Sequence, residues 1–149
     1  MKIKEIKLSF FYLLLCGIIL SCNTSKKSIA EKKSLSGLYC TEKMPADIGE
    51  PYRTYLKFFK EGTVLKLSSP LSCDSVDLII NKQYSLKTSY TISNNELSFT
   101  FEGISATKNQ YIEAYTGKIL NKQLDLIRGL KYDDDKSFTR FNEEYHFCN

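Results

Sequence analysis

The segment YSLKTSYTISNNELSFTFE, residues 84–102, carries the clearest structural pattern in the chain. Apolar or aromatic side chains recur at every second position on both sides of a central Ser93-Asn94-Asn95. Such alternation is typical of strands with one buried face. Asparagine tolerates the left-handed backbone of a tight turn. The segment therefore predicts a β-hairpin, with strands over residues 84–92 and 96–102.

The remainder of the chain from residue 35 onward repeats this pattern. Short apolar and aromatic runs predict further strands over residues 37–41, 53–60, 63–68, 111–120, 123–130 and 138–147. Residues 69–82 depart from the pattern and predict a long loop with a short strand or a turn of helix. No window of eleven residues has a convincing helical period. Eight short strands predict an all-β, antiparallel up-and-down meander closing into a barrel, with a β-sandwich as the alternative.

The first twenty-two residues predict export. A Lys-rich start leads into an apolar run over residues 8–20, which ends in Leu20-Ser21-Cys22. The run is shorter than the roughly 20 residues needed to cross a membrane, but it fits a signal peptide. We expect a signal peptide over residues 1–21, a tether over residues 22–34 and one domain over residues 35–149.

The Leu20-Ser21-Cys22 ending resembles the lipobox of bacterial lipoproteins. The resemblance implies that Cys22 is lipidated and anchors the domain to a membrane as the first residue of the mature chain. Asp after the Cys resembles an inner-membrane retention signal, and Asn23 stands there instead. An acidic run resembling a surface-export signal is replaced by Lys26 and Lys27. We therefore expect an outer-membrane anchor and a domain on the periplasmic face.

Charge argues against a nucleic-acid partner. The formal net charge of the whole chain is +4. Removal of residues 1–21 takes away three lysines and one glutamate, which leaves 18 basic and 16 acidic residues, or +2. Nucleic-acid binding relies on many contacts to phosphates, so a nearly neutral domain is a poor candidate.

A skeleton of short motifs covers about residues 35–141. It includes Gly37-x-Tyr39, the Asn94-Asn95 hairpin and a late Phe138-x-Arg140. In this order the motifs resemble bacterial lipocalin-like domains, many of them small lipoproteins. The resemblance implies an eight-stranded barrel able to hold one small ligand. It also implies structural roles for Gly37, Tyr39 and Arg140, with Arg140 packed over the Tyr39 ring, where lipocalins have Trp.

Three cysteines remain after export, an odd number for an oxidising compartment. Cys16 lies in the signal peptide and Cys22 is the lipidation site. In an eight-stranded barrel the first and last strands are neighbours, which favours a disulfide between Cys40 and Cys148. A Cys40–Cys73 bond is the alternative.

No residue pattern indicates catalysis, a metal site or a cofactor. His146 is the single histidine, and no zinc-ligand spacing accompanies it. Asp133-Asp134-Asp135 lacks the spacing of a calcium loop and is interpreted as a solvated turn. Since no nucleophile–base pair is visible, we expect a protein that is not an enzyme.

One charged residue lies on an apolar strand face. Arg128 shares its face with Leu124, Leu126 and Leu130, and a charge there requires a partner. The partner is either Glu143 or the acidic head group of a bound amphiphile. In the second case we expect the apolar tail among Phe99, Phe101 and Leu126.

The sequence is compatible with two functions. The first is a membrane-anchored envelope lipoprotein that binds a small, partly apolar ligand in its barrel. The second is an interaction, accessory or inhibitor protein whose filled barrel contacts another envelope protein. A large apolar cavity would favour the first function, and a filled interior with an exposed aromatic patch would favour the second.

Overall fold

The computed structural model describes residues 34–46, 49–82 and 85–148. Their elements, in chain order, are β1 (Gly37–Cys40), β2 (Arg53–Phe59), β3 (Thr63–Ser69), α1 (Cys73–Ile79), β4 (Leu86–Ser93), β5 (Glu96–Ile104), β6 (Gln110–Leu120), β7 (Gln123–Tyr132) and β8 (Thr139–Phe147). The predicted signal peptide and Cys22 lie outside the described residues. In the described part of the chain, no helix combines the length and hydropathy that crossing a bilayer requires.

The strands form one closed antiparallel barrel. Each strand pairs with its neighbours in sequence, and β1 pairs with β8 to complete the circle. The predicted all-β, eight-stranded meander is therefore confirmed, and the β-sandwich is not. The β4–β5 hairpin turns at Asn94 and Asn95, whose φ angles are +50° and +69°. Two successive positive φ angles suit the twist of a two-residue hairpin, which explains the asparagines.

The short helix α1 lies on the outside of the barrel. The Ser72 side chain caps its first turn by accepting a hydrogen bond from the Ser75 amide. Val76 and Ile80 are buried in a small cluster with outward-facing side chains of β1, β2 and β3, among them Leu38, Tyr55 and Leu65. Of the two alternatives predicted within residues 69–82, a short strand or a turn of helix, the structure has the helix.

Aromatic and aliphatic side chains fill the interior toward one end, which we call the closed end. The β2–β3, β4–β5 and β6–β7 turns lie at this end. Leu35 folds across it, where its amide donates a 2.9 Å hydrogen bond to the hydroxyl of Tyr90. We call the opposite end, where the β5–β6 and β7–β8 turns lie, the mouth.

The barrel closes through a short seam between β1 and β8. Tyr39 pairs with Phe147, and Cys40 pairs with His146. The Cys148 amide adds a 2.8 Å hydrogen bond to the Leu38 carbonyl oxygen. Since regular pairing ends at Cys40, the two strands separate beyond it toward the mouth.

At the seam, Tyr39 packs on other residues than the expected Arg140. Its ring meets Phe58 and Phe147 edge to face, with centroids 5.8 and 5.2 Å away. Arg140 is exposed and pairs with Gly129. The prediction that Arg140 covers Tyr39 is wrong because β8 meets β1 only by its last residues, and Arg140 lies near its first.

Gly37 has a structural role at the same seam. Its φ angle is +117°, and a Cβ atom there would lie 2.4 Å from the Phe147 ring. A side chain at this position would therefore strain the backbone and displace the ring that packs on Tyr39.

Candidate functional site

The predicted apolar subsite is occupied by the protein's own side chains. Phe99, Phe101 and Leu126 point into the barrel and are at most 5% exposed. The Phe99 ring stacks on Tyr115 with centroids 4.8 Å apart, and it meets Phe101 edge-on at 5.6 Å. These residues build a packed core, which leaves no room among them for the expected ligand tail.

Arg128 points inward and has two carboxylate partners. Its Nε donates to Glu143 Oε1 at 2.6 Å, as one of the two predicted alternatives had it. Its Nη1 donates to Glu113 Oε1 at 3.0 Å, a contact that the sequence did not reveal. The guanidinium also lies over the ring of Phe141, 4.5 Å from the centroid.

Lys66 completes the group from the other side of the barrel. Its Nζ forms an ion pair with Glu113 Oε2 and lies over the Tyr115 ring, 5.6 Å from the centroid. We call Lys66, Glu113, Arg128 and Glu143 the charged cluster. Two cations balance two carboxylates, and between 6% and 21% of each side chain is exposed.

Strand register explains how these residues meet. On β7, Arg128 lies opposite Tyr115 of β6, and Leu126 lies opposite Glu143 of β8. Glu113 is two residues from Tyr115 and therefore points to the same side of β6. Of the four residues, only Lys66 lies on the opposite side of the barrel, on β3. It reaches Glu113 because the barrel is closed.

Burial shapes the protonation of the cluster and its neighbours. It lowers the pKa of Lys66, while the Glu113 carboxylate acts in the opposite direction. Burial and nearby carboxylates raise the pKa values of Tyr115 and Tyr145. The Tyr145 hydroxyl donates to Glu143 Oε2 at 2.6 Å, so Glu143 is held from two sides.

A lateral opening leads to the charged cluster. Where β1 and β8 separate, a cavity of about 290 Å³ lies between the end of β1 and the middle of β8. It is lined by Thr41, Glu42, Met44, Asn142, Glu143, Glu144 and His146. Glu143 therefore contacts both the interior cluster and this cavity.

A group of three cysteines lies outside the barrel, at α1. Cys73 and Cys148 form a disulfide, and Cys40 is a buried free cysteine. The predicted Cys40–Cys148 bond is therefore wrong. The seam does bring these two cysteines close, but α1 packs over β1 and delivers Cys73 to Cys148 instead.

Lys66 and Glu113 were not predicted from sequence as members of the charged cluster, for different reasons. Glu113 lies on the same face of β6 as Tyr111 and Tyr115. A search for charged residues on the inward face of each predicted strand would therefore have found it. Lys66 lies 47 residues from Glu113, and no local pattern links the two.

Comparison with protein-family models, with curated proteins and with solved structures gave no match. The fold and the geometry of the charged cluster are therefore the basis for a functional proposal.

Proposed function

We propose that the protein is a small binding protein that holds a partly apolar, ionic ligand at the mouth of its barrel, against the charged cluster. The observation that carries the proposal is the placement of four charges inside a barrel that is otherwise filled by aromatic and aliphatic side chains. Buried ion pairs contribute little to the stability of a fold, and apolar residues of similar volume often stabilise it more. A cluster of this kind therefore favours a role in recognition.

The residues around the cluster suit a ligand with an apolar part. Leu130 and Phe141 continue the inward face toward the mouth and are partly exposed. The Phe141 ring contacts the Arg128 guanidinium, so an apolar body on the ring would place its ionic group near Arg128. Glu143 offers a hydrogen-bond acceptor from the side of the seam cavity.

The filled closed end limits the size of the ligand. Because Phe99, Phe101 and Leu126 occupy the deeper interior, a long acyl chain has no space there. The proposed ligand is compact, with an apolar ring or short chain and at least one charged group. This revises the position expected from sequence, which put the ligand's apolar tail among Phe99, Phe101 and Leu126.

The cellular setting is part of the same proposal. The lipobox-like Leu20-Ser21-Cys22 supports a lipid anchor at Cys22, and the closed eight-stranded barrel is consistent with a lipocalin-like fold. Cys22→Ala should stop lipid attachment and processing at this position. Metabolic labelling with a palmitate analogue, followed by membrane fractionation, tests it, and a variant that still takes up label would contradict the anchor.

Binding is tested with an anionic probe that has an apolar body, 8-anilinonaphthalene-1-sulfonate. We expect wild-type protein to enhance its fluorescence. The double variant Arg128→Gln, Glu143→Gln keeps the cluster neutral and should weaken binding about tenfold or more, as expected for the loss of a charge-assisted contact.

Ile127→Gln is the matched control, since this residue lies on the outer face of the same strand, 45% exposed. It should leave probe binding unchanged. Native mass spectrometry of protein purified from its own membrane then tests for a retained small ligand. Absence of both probe binding and a retained ligand would reject the proposal.

An interaction protein is the second candidate, favoured by one observation. Ile112 on β6, Ile127 on β7 and Phe138, just before β8, are between 37% and 45% exposed on the outside of the barrel. A patch of this kind is typical of surfaces that meet another protein. If Ile127→Gln abolishes co-purification of an envelope protein while the cluster variant retains it, this second function is the better one.

A further inference from the structure

We infer that Cys40, Cys73 and Cys148 form a thiol–disulfide exchange site, in which Cys73 can be bonded to either of the other two. The Cys40 Sγ lies 3.8 Å from the Cys73 Sγ, and all three sulfurs lie within 4.8 Å of one another. A free thiol thus lies in contact with a disulfide. The inference is independent of ligand binding in the barrel.

The exchange needs no external oxidant or reductant. Cys40 gives up its proton to solvent, and its sulfur attacks Cys73 Sγ. The Cys40–Cys73 bond forms while the Cys73–Cys148 bond breaks, and Cys148 leaves as a thiolate that takes up a proton. One thiol and one disulfide are present before and after. The three sulfurs form a triangle, so a rotation about the Cys40 Cα–Cβ bond is needed to align them for attack.

Arg53 is placed to assist this step. Its Nη1 lies 3.8 Å from the Cys40 Sγ, and its Nε is buried without a hydrogen-bond partner in the described part of the chain. During exchange a negative charge spreads over the sulfurs, and the adjacent guanidinium stabilises it. We assign Arg53 a positioning and charge-stabilising role at this site.

The two bonded states differ in what they tie together. A Cys73–Cys148 bond joins α1 to the chain just after β8, whereas a Cys40–Cys73 bond joins α1 to β1. In the second state the half-buried Cys148 becomes a thiol at the edge of the seam. That thiol is a site for a mixed disulfide with a small thiol compound or with a cysteine of another protein.

Peptide mapping of the protein purified from the cells that produce it tests the inference. Trypsin places the three cysteines on separate peptides, residues 34–43, 67–82 and 141–149. The protein is held at pH 8 without reductant, quenched with acid and alkylated, and both the linkages and the labelled thiols are measured. We expect a Cys40–Cys73 linkage, with label on Cys148, in roughly 1–10% of molecules or more.

Variants separate exchange from a fixed bond. Oxidised with excess glutathione disulfide, which supplies the two-electron oxidation, Cys148→Ser should form Cys40–Cys73 quantitatively. Under the same conditions Cys40→Ser should contain the Cys73–Cys148 bond as its single linkage. The exchange rate is measured on protein that starts with a single linkage and relaxes to the mixture of Cys73–Cys148 and Cys40–Cys73 molecules. Arg53→Gln should lower this rate about tenfold. Arg53→Lys should restore most of the rate, and Lys60→Gln, which removes an exposed charge, should not change it. Label confined to Cys40 in the wild type, together with a Cys148→Ser variant that forms no bond, would overturn the inference.

Discussion

At the scale of single residues, the charged cluster depends on matched numbers of cations and carboxylates. Arg128 is the link, since it contacts both Glu113 and Glu143 while Lys66 contacts only Glu113. Removing Arg128 therefore leaves Glu143 without its cation in a largely buried position. The same residue was recognisable from sequence as an isolated charge in the inward phase of β7.

Arg128→Gln should lower the free energy of unfolding by about 3 kcal/mol, because one partner of a buried ion pair is left uncompensated. Chemical denaturation monitored by circular dichroism measures the change. Adding Glu143→Gln should recover more than half of the loss. If the double variant is no more stable than the single one, the guanidinium contributes by packing on Phe141 and not by charge.

Alternation in the sequence identified which strand residues point inward, and so the Arg128–Glu143 pair could be named as one of two options. It could not separate that pair from a ligand head group, because both satisfy the same charge. Which two cysteines form the disulfide was harder to predict from sequence. Three cysteines within reach of one another differ only by side-chain placement, which local pattern does not encode.

At the scale of elements, the strands closely match the spans predicted from sequence, whereas the sequence of α1 has no comparably clear helical pattern. Among the seven residues of α1 only Val76 is buried, and the buried Ile80 follows the helix directly, which is too little to establish a helical period. The hairpin at Asn94-Asn95, in contrast, combines clear alternation with the residues that its turn requires. Prediction succeeded where pattern and turn chemistry agreed.

Gly117 shows how closely two strands approach. A Cβ atom on it would lie 2.0 Å from the Asp125 carbonyl oxygen of the neighbouring strand β7. Gly117→Ala should thus force β6 and β7 apart and lower the free energy of unfolding by about 3 kcal/mol, at the upper end of overpacking costs.

Gly103→Ala is the comparison, because the atoms it would meet belong to the Tyr111 ring, which can move aside. Thermal unfolding of both variants should show the larger loss at Gly117. Equal losses would mean that the β6–β7 backbones can separate without cost, contrary to this structure.

At the scale of the whole molecule, burial of tyrosines sets the alkaline limit of stability. Burial raises the pKa values of Tyr39, Tyr55, Tyr90, Tyr111, Tyr115 and Tyr145 in the folded chain. The unfolded chain therefore loses its phenolic protons first as the pH rises above about 10. The stabilisation is complete below that pH and is lost above it.

We expect the urea midpoint to fall steeply between about pH 10 and pH 12, in the range where unfolded tyrosines ionise. The lowered pKa of Lys66 acts in the opposite direction, but it is one group against six. Absorbance at 295 nm should show these tyrosines ionising together with the loss of circular dichroism. Gradual ionisation of all tyrosines near pH 10 in protein that stays folded would contradict the prediction.

The seam between β1 and β8 has a consequence for how the chain folds. Every other strand pair joins sequence neighbours, whereas Tyr39 and Phe147 are 108 positions apart. Closing so long a loop costs more entropy than forming any hairpin, so the meander assembles first as an open sheet. Until the circle closes, that sheet has two unpaired edges, and a second copy can pair with either. Refolding yield should therefore fall as protein concentration rises, with the rate of ring closure deciding between the monomer and the aggregate.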